Sequence, residues 1–392
     1  MKLIYLFLLF LFPCICEAQM ALKGLVVDAE KNTPVPGASV FLNNTSIGTV
    51  TNSQGGFELN IPAGRFDLIV SSIAYETANW PVGTAGQSTA LTIKLHPKAK
   101  ELETVVVAPF EKDGWAKWGL FFTENFIGTS AMAADCKLVN PSAVKFRHNK
   151  KIGELTAHAF EPLIIQNKAL GYTLHYDLET FSYNFQAGYF LFQGYPYFEP
   201  MRGGAARQKR WTARRNNAYD GSLLHFMRSV YRNKISEQGF EVRALQKIPN
   251  EEKARVQLLY KTGRQQQLYA NKDSTAYYEK ILAQPNEFSI IGKNLLPGDS
   301  IAYAIDSLTA ALYFENYLLV IYKNKTAPPE YRKYVLNAGA TMASQITLMN
   351  KRPIAIQANG SFFEPFDLLS MGYWGWSEKI ATMLPFDFVP GK

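Results

Sequence analysis

His158 and Glu161 form the pair of side chains whose types and spacing first suggest metal chemistry. They lie in the stretch HAFE, residues 158–161, and together they offer an imidazole and a carboxylate, two common zinc ligands. A catalytic zinc also needs a third protein ligand and a base for its bound water. The last histidine of the sequence, His225, follows Glu161 by only 64 residues, and no ligand motif accompanies it.

The local sequence places this pair on a β-strand. Apolar and polar residues alternate over residues 154–159, which predicts a strand that continues toward Glu161. Pro162 directly follows Glu161, and a residue before proline is biased away from helical backbone. On a strand, residues three apart point to opposite faces, so His158 and Glu161 should diverge. We therefore expect no metal site and no cofactor.

Other signatures of hydrolytic chemistry are missing or weak. The sequence contains no Gly-x-Ser-x-Gly elbow and no phosphate-binding glycine-rich loop, the usual motifs of hydrolases and nucleotide-binding proteins. Cys136 lies in MAADCKLVN without a neighbouring sign of activation, so we expect a buried small residue and not a nucleophile. We interpret the protein as non-enzymatic. The alternative is a hydrolase with an unrecognised active site in the second domain.

The densest set of binding-type residues lies within residues 202–232. Between Arg202 and Arg215 the chain carries six cations and no acid. One interpretation is an anion-binding surface, with aromatic rings available for stacking. The other is a solvated helix with one or two arginines tied to acids across the domain. If the stretch is a binding site, its residues are Trp211, Arg214, Arg215, Tyr219, His225 and Arg228.

A helix over about 208–236 is expected to position these side chains. Apolar residues at helical spacing predict one core face. If the helix is continuous, Arg214 and Arg228 lie on its polar side. Asp220 and Gly221 could instead break it, with Asp220 capping a second helix.

Residues 21–96 contain short alternating stretches separated by turns. FELNI (57–61) and RFDLIVSS (65–72) alternate apolar and polar residues, and SQGG (53–56) and PAG (62–64) separate them. A period of two places each apolar set on one face of a sheet, which must pack against a second sheet. The spacing predicts an all-β sandwich.

The same region resembles the carboxypeptidase regulatory-like domain. The resemblance rests on Pro36-Gly37-Ala38, Gly48-Thr49, Gly56-Phe57, Pro62-Ala63-Gly64 and Ala74-Tyr75. It implies a transthyretin-like sandwich of about seven strands. It implies no catalysis, because in zinc carboxypeptidases this module is an accessory. Similar modules begin many exported proteins of Bacteroidota, including TonB-dependent receptors.

The remainder is interpreted as a linker, residues 97–114, and a second domain, residues 115–392. Strand-like stretches precede and follow the helical ones, which favours an α+β domain rich in antiparallel strands. Residues 254–261 are expected to form a strand, and about 274–284 and 375–384 to form helices. Stretches such as CKLVNPSAVKF (136–146) resemble the region that follows the same module in other exported Bacteroidota proteins. That group of proteins has no assigned activity.

The first eighteen residues have the features of a secretory signal peptide. Lys2 precedes an unbroken apolar run, and Cys16-Glu17-Ala18 ends it with a cleavage pattern. No later segment is apolar enough to predict a transmembrane helix. We therefore expect an exported protein of the periplasm or outer-membrane surface.

The net charge of +8 bears on the expected partners. For an exported protein we expect an anionic envelope glycan, a lipid or an outer-membrane protein, and not nucleic acid. The function expected from the sequence is binding or assembly of an envelope or nutrient component.

Overall fold

The computed structural model describes residues 20–83, 90–98, 109–262, 272–334, 339–363 and 365–391. The expected signal peptide and residues 99–108 of the expected linker lie outside these ranges. The chain divides into two compact units. The first holds the chain before Val107 together with Tyr195–Phe198, and the second holds Val107–Gly194 and Glu199–Lys392.

The first unit is a two-sheet β-structure. Its described strands are Met20–Asp28 (β1), Ser39–Leu42 (β2), Gly48–Val50 (β3), Gly56–Ile61 (β4), Arg65–Ser71 (β5), Ala78–Gly83 (β6) and Ala90–Leu95 (β7). One sheet has the order β4-β1-β7 and the other β3-β2-β5-β6. β1 pairs antiparallel with β4 and parallel with β7.

Alternation along the strands builds the core of this unit. In β4, Phe57, Leu59 and Ile61 are buried while Glu58 and Asn60 are exposed. These side chains join one apolar cluster with residues of the other sheet, as a period of two requires. The seven strands in two sheets confirm the predicted sandwich.

A buried carboxylate fixes the turn after β1. Asp28 is 2% exposed and accepts hydrogen bonds from the backbone N–H groups of Glu30 and Lys31 at 2.8 and 2.9 Å and from the Tyr75 hydroxyl at 3.0 Å. The backbone N–H of Lys31 contributes most to lowering the pKa of Asp28. The tyrosine of the Ala74-Tyr75 step therefore anchors a turn that is distant in sequence.

The second unit contains three antiparallel sheets. Its strands are Cys136–Leu138 (β8), Val144–Asn149 (β9), Glu154–Ala159 (β10), Leu163–Asn167 (β11), Tyr172–Asn184 (β12), Tyr189–Pro200 (β13, in part counted with the first unit), Phe240–Pro249 (β14), Glu287–Ile291 (β15), Ala302–Ala304 (β16), Thr309–Leu312 (β17), Tyr317–Thr326 (β18), Thr341–Leu348 (β19), Ile354–Gln357 (β20), Phe362–Phe363 (β21) and Leu368–Gly372 (β22). The sheet orders are β8-β11-β12-β10-β9 with β13 on β12, β15-β14-β18-β19-β22, and β16-β17-β20-β21.

Helices lie between and after these strands. They are Gly114–Phe126 (α1), Ala205–Tyr219 (α2), Leu223–Tyr231 (α3), Glu251–Lys261 (α4), Lys272–Leu282 (α5), Pro329–Tyr334 (α6) and Tyr373–Ser377 (α7). Strands followed by helices and further strands confirm the α+β class.

Two predicted elements were wrong. Residues 254–261 belong to helix α4, which is capped by Asn250, whose Oδ1 accepts a hydrogen bond from the N–H of Lys253 at 3.0 Å. Acidic residues in its first turn and Lys261 in its last turn also favour a helix. The helix expected over 375–384 is limited to the short α7.

Aromatic side chains dominate the core around α1. Phe122 is fully buried, and its ring lies 5.0 Å from that of Phe126 and 4.8 Å from that of Phe181, measured between centroids. Leu120 of the same helix is 74% exposed. Helix α1 therefore attaches to the sheet through one face only.

Replacing Phe122 should destabilise the second unit much more than replacing Leu120. Phe122→Ala removes a fully buried ring and should lower the free energy of unfolding by about 3–5 kcal/mol. Leu120→Ala should change it by less than about 0.5 kcal/mol. Urea unfolding of both variants, followed by tryptophan fluorescence, measures the difference; equal effects would contradict the assignment of the buried face.

Candidate functional site

His158 and Glu161 do not form a shared site. His158 lies in β10, and its Nε2 is 3.3 Å from the Oγ1 of Thr156. Glu161 lies beyond the end of β10, is exposed, and accepts a hydrogen bond from the side chain of Asn140 at 3.2 Å. Within the described ranges, no three His, Cys, Asp or Glu side chains form a group that could hold a metal ion.

Cys136 lies at the start of β8, half-buried. Burial raises the pKa of its thiol to about 12, and its Sγ donates to the carbonyl of Met132 at 3.4 Å. A thiol of this kind is almost entirely protonated near neutral pH and is a poor nucleophile.

Helix α2 is fastened to the turn between β11 and β12 by Trp211. The indole is 5% exposed, and its Nε1 donates to the carbonyl of Lys168 at 2.9 Å. The ring lies against the backbone of Gly171 and Gly203: a Cβ on either would come within 2.3 or 2.8 Å of it. The absence of side chains at both glycines therefore makes room for the tryptophan.

Arg215 makes a second attachment at the same turn. Its Nε donates to the carbonyl of Leu170 at 2.7 Å and its Nη2 to that of Gly171 at 3.3 Å. The guanidinium also lies over the ring of Tyr172, 4.1 Å from the centroid. Its donors are directed at the protein's own backbone and not at a ligand.

The chain breaks between α2 and α3, at the Asp220-Gly221 step that the sequence offered as the alternative to one continuous helix. Gly221 has a φ of +83°, which an L-side chain rarely adopts. Ser222 caps α3, since its Oγ accepts from the N–H of His225 at 3.1 Å. Asp220, the cap expected for a second helix, is the residue that ends α2.

His225 and Tyr219 are packed on each other in the interior. Their ring centroids are 4.5 Å apart, and both residues are at most 5% exposed. The Nδ1 of His225 accepts from the N–H of Gly221 at 3.2 Å, so its Nε2 carries the proton and faces the Oε1 of Gln238 at 3.0 Å. Burial lowers the pKa of His225, which favours the neutral ring.

Arg228 is also buried, although the continuous-helix projection placed it on the polar side. It is 5% exposed; its Nε donates to the carbonyl of Asn359 at 2.8 Å and its Nη2 to that of Phe386 at 3.0 Å. The break before α3 changes the helical phase, which accounts for the difference. This arginine joins α3 to two later segments of the second unit.

Of the six predicted residues, Arg214 is the one whose charged group faces solvent. It is about half exposed and pairs with Asp135 at 2.7 Å. It lines an open groove of about 510 Å³. We call this the α2 groove; its lining residues are Asp135, Lys168, Met201, Arg202, Arg207, Arg210, Trp211 and Arg214.

The charge of the α2 groove is strongly positive. Five lining residues are cations, and Asp135 is its one acid. No acidic side chain in the described part of the chain pairs with Arg202, Arg207 or Arg210. These three were recognisable in the sequence as part of the cationic run, whereas Lys168, in a turn, and Asp135, at the end of a short 3-10 helix, come from distant segments without a sequence signal.

A second polar cavity was not anticipated from the sequence. The cavity has a volume of about 130 Å³, and Glu378 and Lys325 are among its lining residues. Burial raises the pKa of Glu378 to about 7. The signal that could have indicated it is a Glu-Lys pair inside the aromatic-rich stretch GYWGWSEKI, residues 372–380.

Comparison with known proteins identifies the first unit. Residues 22–107 match the family described as the CarboxypepD_reg-like domain, which confirms the resemblance noted in the sequence. A curated TonB-dependent receptor of Formosa agariphila is 30% identical over 91 residues. That match covers 23% of this chain and 8% of the receptor, so the chain spans less than a tenth of this relative's length.

Two solved structures are similar at low identity. A DUF3823 family protein from Bacteroides ovatus matches at 11% identity, covering 48% of this chain and 83% of that one, with a TM-score of 0.17. A putative membrane-associated protein of unknown function from Bacteroides fragilis matches at 10% identity, covering 88% and 92%, with a TM-score of 0.17. Among the described helices, none has both the length and the apolar character needed to cross a membrane.

Arg228 and Arg214 should differ in how much each contributes to the free energy of unfolding. Arg228→Ala removes a buried guanidinium that donates to two partly buried carbonyls and should lower the free energy of unfolding by about 2–4 kcal/mol. Arg214→Ala removes one exposed ion pair and should cost less than about 1 kcal/mol. Chemical denaturation of the two variants tests this, and a larger loss for Arg214→Ala would reverse our assignment.

Gly171→Ala should displace Trp211. The substitution adds a Cβ where the indole lies and forces a side chain into a positive φ of 74°. Gly188→Ala is the matched control, because Gly188 has a φ of 67° and open space around it. We expect Gly171→Ala to cost about 1–3 kcal/mol more than the control, measured by thermal unfolding; similar losses would show that the indole does not depend on this glycine.

Proposed function

We propose that this protein is a non-enzymatic component of the bacterial cell envelope that binds an anionic ligand along the α2 groove. The observation that carries the proposal is the cluster of exposed arginines without an acidic partner among the described residues: Arg202 just before α2, and Arg207 and Arg210 on it. A positive groove of this kind raises the local concentration of anions and speeds their association.

The spacing of the arginines favours a ligand with several negative charges along its length. Arg207, Arg210 and Arg214 follow each other at intervals of three and four residues, which places them on one side of α2. At 1.5 Å per residue the row is about 10 Å long. A single phosphate would engage one or two of them, whereas an acidic polysaccharide could engage all three.

Rigidity also supports binding at this surface. Trp211 and Arg215 attach α2 to the β11–β12 turn through hydrogen bonds to the carbonyls of Lys168, Leu170 and Gly171. The backbone of the helix, and with it the spacing of the points from which its arginines project, is therefore set before a ligand arrives, which reduces part of the entropic cost of binding.

The envelope location is supported by the first unit and by the expected export. The CarboxypepD_reg-like domain matches residues 22–107, and the curated relative that shares it is named a TonB-dependent receptor. An anionic glycan of the envelope is the partner we propose; a lipid headgroup or an outer-membrane protein is the alternative partner class.

Removing two groove cations should weaken binding of a polyanion. Arg207→Ala combined with Arg210→Ala should weaken affinity for alginate about 5- to 30-fold, because each exposed charge contributes roughly 0.5–1 kcal/mol. Lys150→Ala combined with Lys151→Ala is the matched control, since both lysines are exposed and lie outside the groove. Calorimetric titration at two salt concentrations measures both, and higher salt should weaken wild-type binding.

Equal losses of alginate affinity in the two double variants would show that the effect depends only on net charge. That result would contradict binding at the α2 groove. Dextran serves as the neutral polymer, and its binding with the affinity of alginate would equally contradict the proposal. The alginate recovered after incubation should keep its chain length. Shortening by wild-type protein would support the hydrolase alternative instead.

A further inference from the structure

The second polar cavity lies in the second unit, at the break between α2 and α3. It has a volume of about 130 Å³, roughly four times the 30 Å³ that one water molecule occupies in the liquid. Its ionisable lining residues are Asp220, Lys325, Glu330, Tyr373 and Glu378.

The charge of this cavity is opposite to that of the chain as a whole. Three carboxyl groups and one ammonium line it, whereas the full chain carries a formal charge of +8. The ammonium of Lys325 is already engaged, because its Nζ donates to the carbonyl of Asn217 at 2.6 Å. No cation among the described residues forms an ion pair with Glu378.

Glu378 is held in place by the start of α3. Its Oε1 accepts a hydrogen bond from the N–H of Leu223 at 3.0 Å. The neighbouring Lys379 points elsewhere, with its Nζ over the ring of Phe190 at 4.0 Å from the centroid. The carboxylate is therefore oriented and half-buried, with one backbone donor and the charge of Lys379 nearby but no ion pair among the described residues.

Unpartnered hydroxyl groups provide an independent indication of a ligand. Ser377 lines the cavity and is only 7% exposed, and its buried Oγ has no hydrogen-bond partner in the described part of the protein. The Oγ of Ser130, on the opposite segment, is buried and unpartnered as well. Buried hydroxyls are normally hydrogen-bonded, so two of them at one cavity indicate polar groups of an occupant.

We infer that this cavity binds a small primary ammonium compound that also carries hydroxyl groups, with its ammonium beside Glu378 and its polar groups at Ser377 and Ser130. A carboxylate supplies the countercharge that a buried cation needs. The aromatic side chains of Tyr373 and Trp376 also line the cavity. The face of an aromatic ring carries partial negative charge and attracts a cation.

The pH dependence of binding follows from Glu378. Burial raises its pKa to about 7, and only the ionised carboxylate attracts an ammonium. From pH 6 to pH 8 the ionised fraction of such a group rises about tenfold, so affinity should rise by about the same factor. Asp220, Glu330, Lys325, Tyr373 and Lys379 are the other ionisable groups around it. Burial lowers the pKa of Lys379 to about 8, so this lysine is charged at pH 6 and about half charged at pH 8; its loss of charge also favours binding of a cation at the higher pH.

The test uses ethanolamine as the probe, with the full chain. Nuclear magnetic resonance titration should give a dissociation constant of about millimolar, as expected for so few atoms. Ethylene glycol, which lacks the ammonium, should bind at least tenfold more weakly. Glycerophosphoethanolamine distinguishes a lipid headgroup from a free amino alcohol; either one binding at Glu378 supports the inference.

Glu378→Gln should weaken ethanolamine binding about tenfold at pH 8 and remove its pH dependence. Glutamine keeps an oxygen for the N–H of Leu223. Glu124→Gln, at an exposed acid of α1, is the matched control and should bind like wild type. If Glu378→Gln fails to fold, the affinity of Ser377→Ala for ethanolamine and the pH dependence of binding to the wild type test the inference instead. A flat wild-type profile, equal binding of ethylene glycol, or unchanged affinity in Ser377→Ala would overturn the inference.

Discussion

The packing of Trp211 against two glycines is the constraint on which the α2 groove depends. The indole fits only because Gly171 and Gly203 lack side chains, and its N–H donates to the carbonyl of Lys168. This contact fixes the rotation of α2 about its axis. Once the tryptophan faces inward, helical periodicity also directs Arg215 and Tyr219, one and two turns later, toward the protein, whereas Arg210 and Arg214 are exposed. The cationic surface is thus a consequence of one buried ring and two close backbone approaches.

The arginines of this region fall into two groups according to their acceptors. Arg215 and Arg228 donate to backbone carbonyls and are at least partly buried, so they hold segments of the second unit together. Arg202, Arg207 and Arg210 are exposed and line the groove. An arginine whose donors are satisfied within the protein has little to offer a ligand, whereas an exposed one can exchange water for a carboxylate or sulfate. Burial thus separates the structural arginines from those available for binding.

The sequence predicted the features that depend on local pattern. Alternation in FELNI identified β4, and the cationic run between Arg202 and Arg215 identified one wall of the groove. It offered a break at Asp220 and Gly221 as one alternative, but it did not identify Ser222 as the cap of the second helix or show that this break places Arg228 in the interior. The strand predicted over 254–261 was wrong because the cap that begins the helix, Asn250, lies upstream of that stretch. Lys168 and Asp135 reach the groove only through tertiary contacts, for which a single sequence has no signal.

Hydrogen–deuterium exchange in the presence and absence of alginate tests the central claim most directly, because it locates the ligand without altering the protein. The account predicts that peptides covering residues 202–214, together with the turn at Lys168, exchange more slowly when alginate is bound, while peptides around Lys150 are unchanged. Protection confined to other regions, or no change within residues 202–214 under conditions where binding is measured, would contradict it.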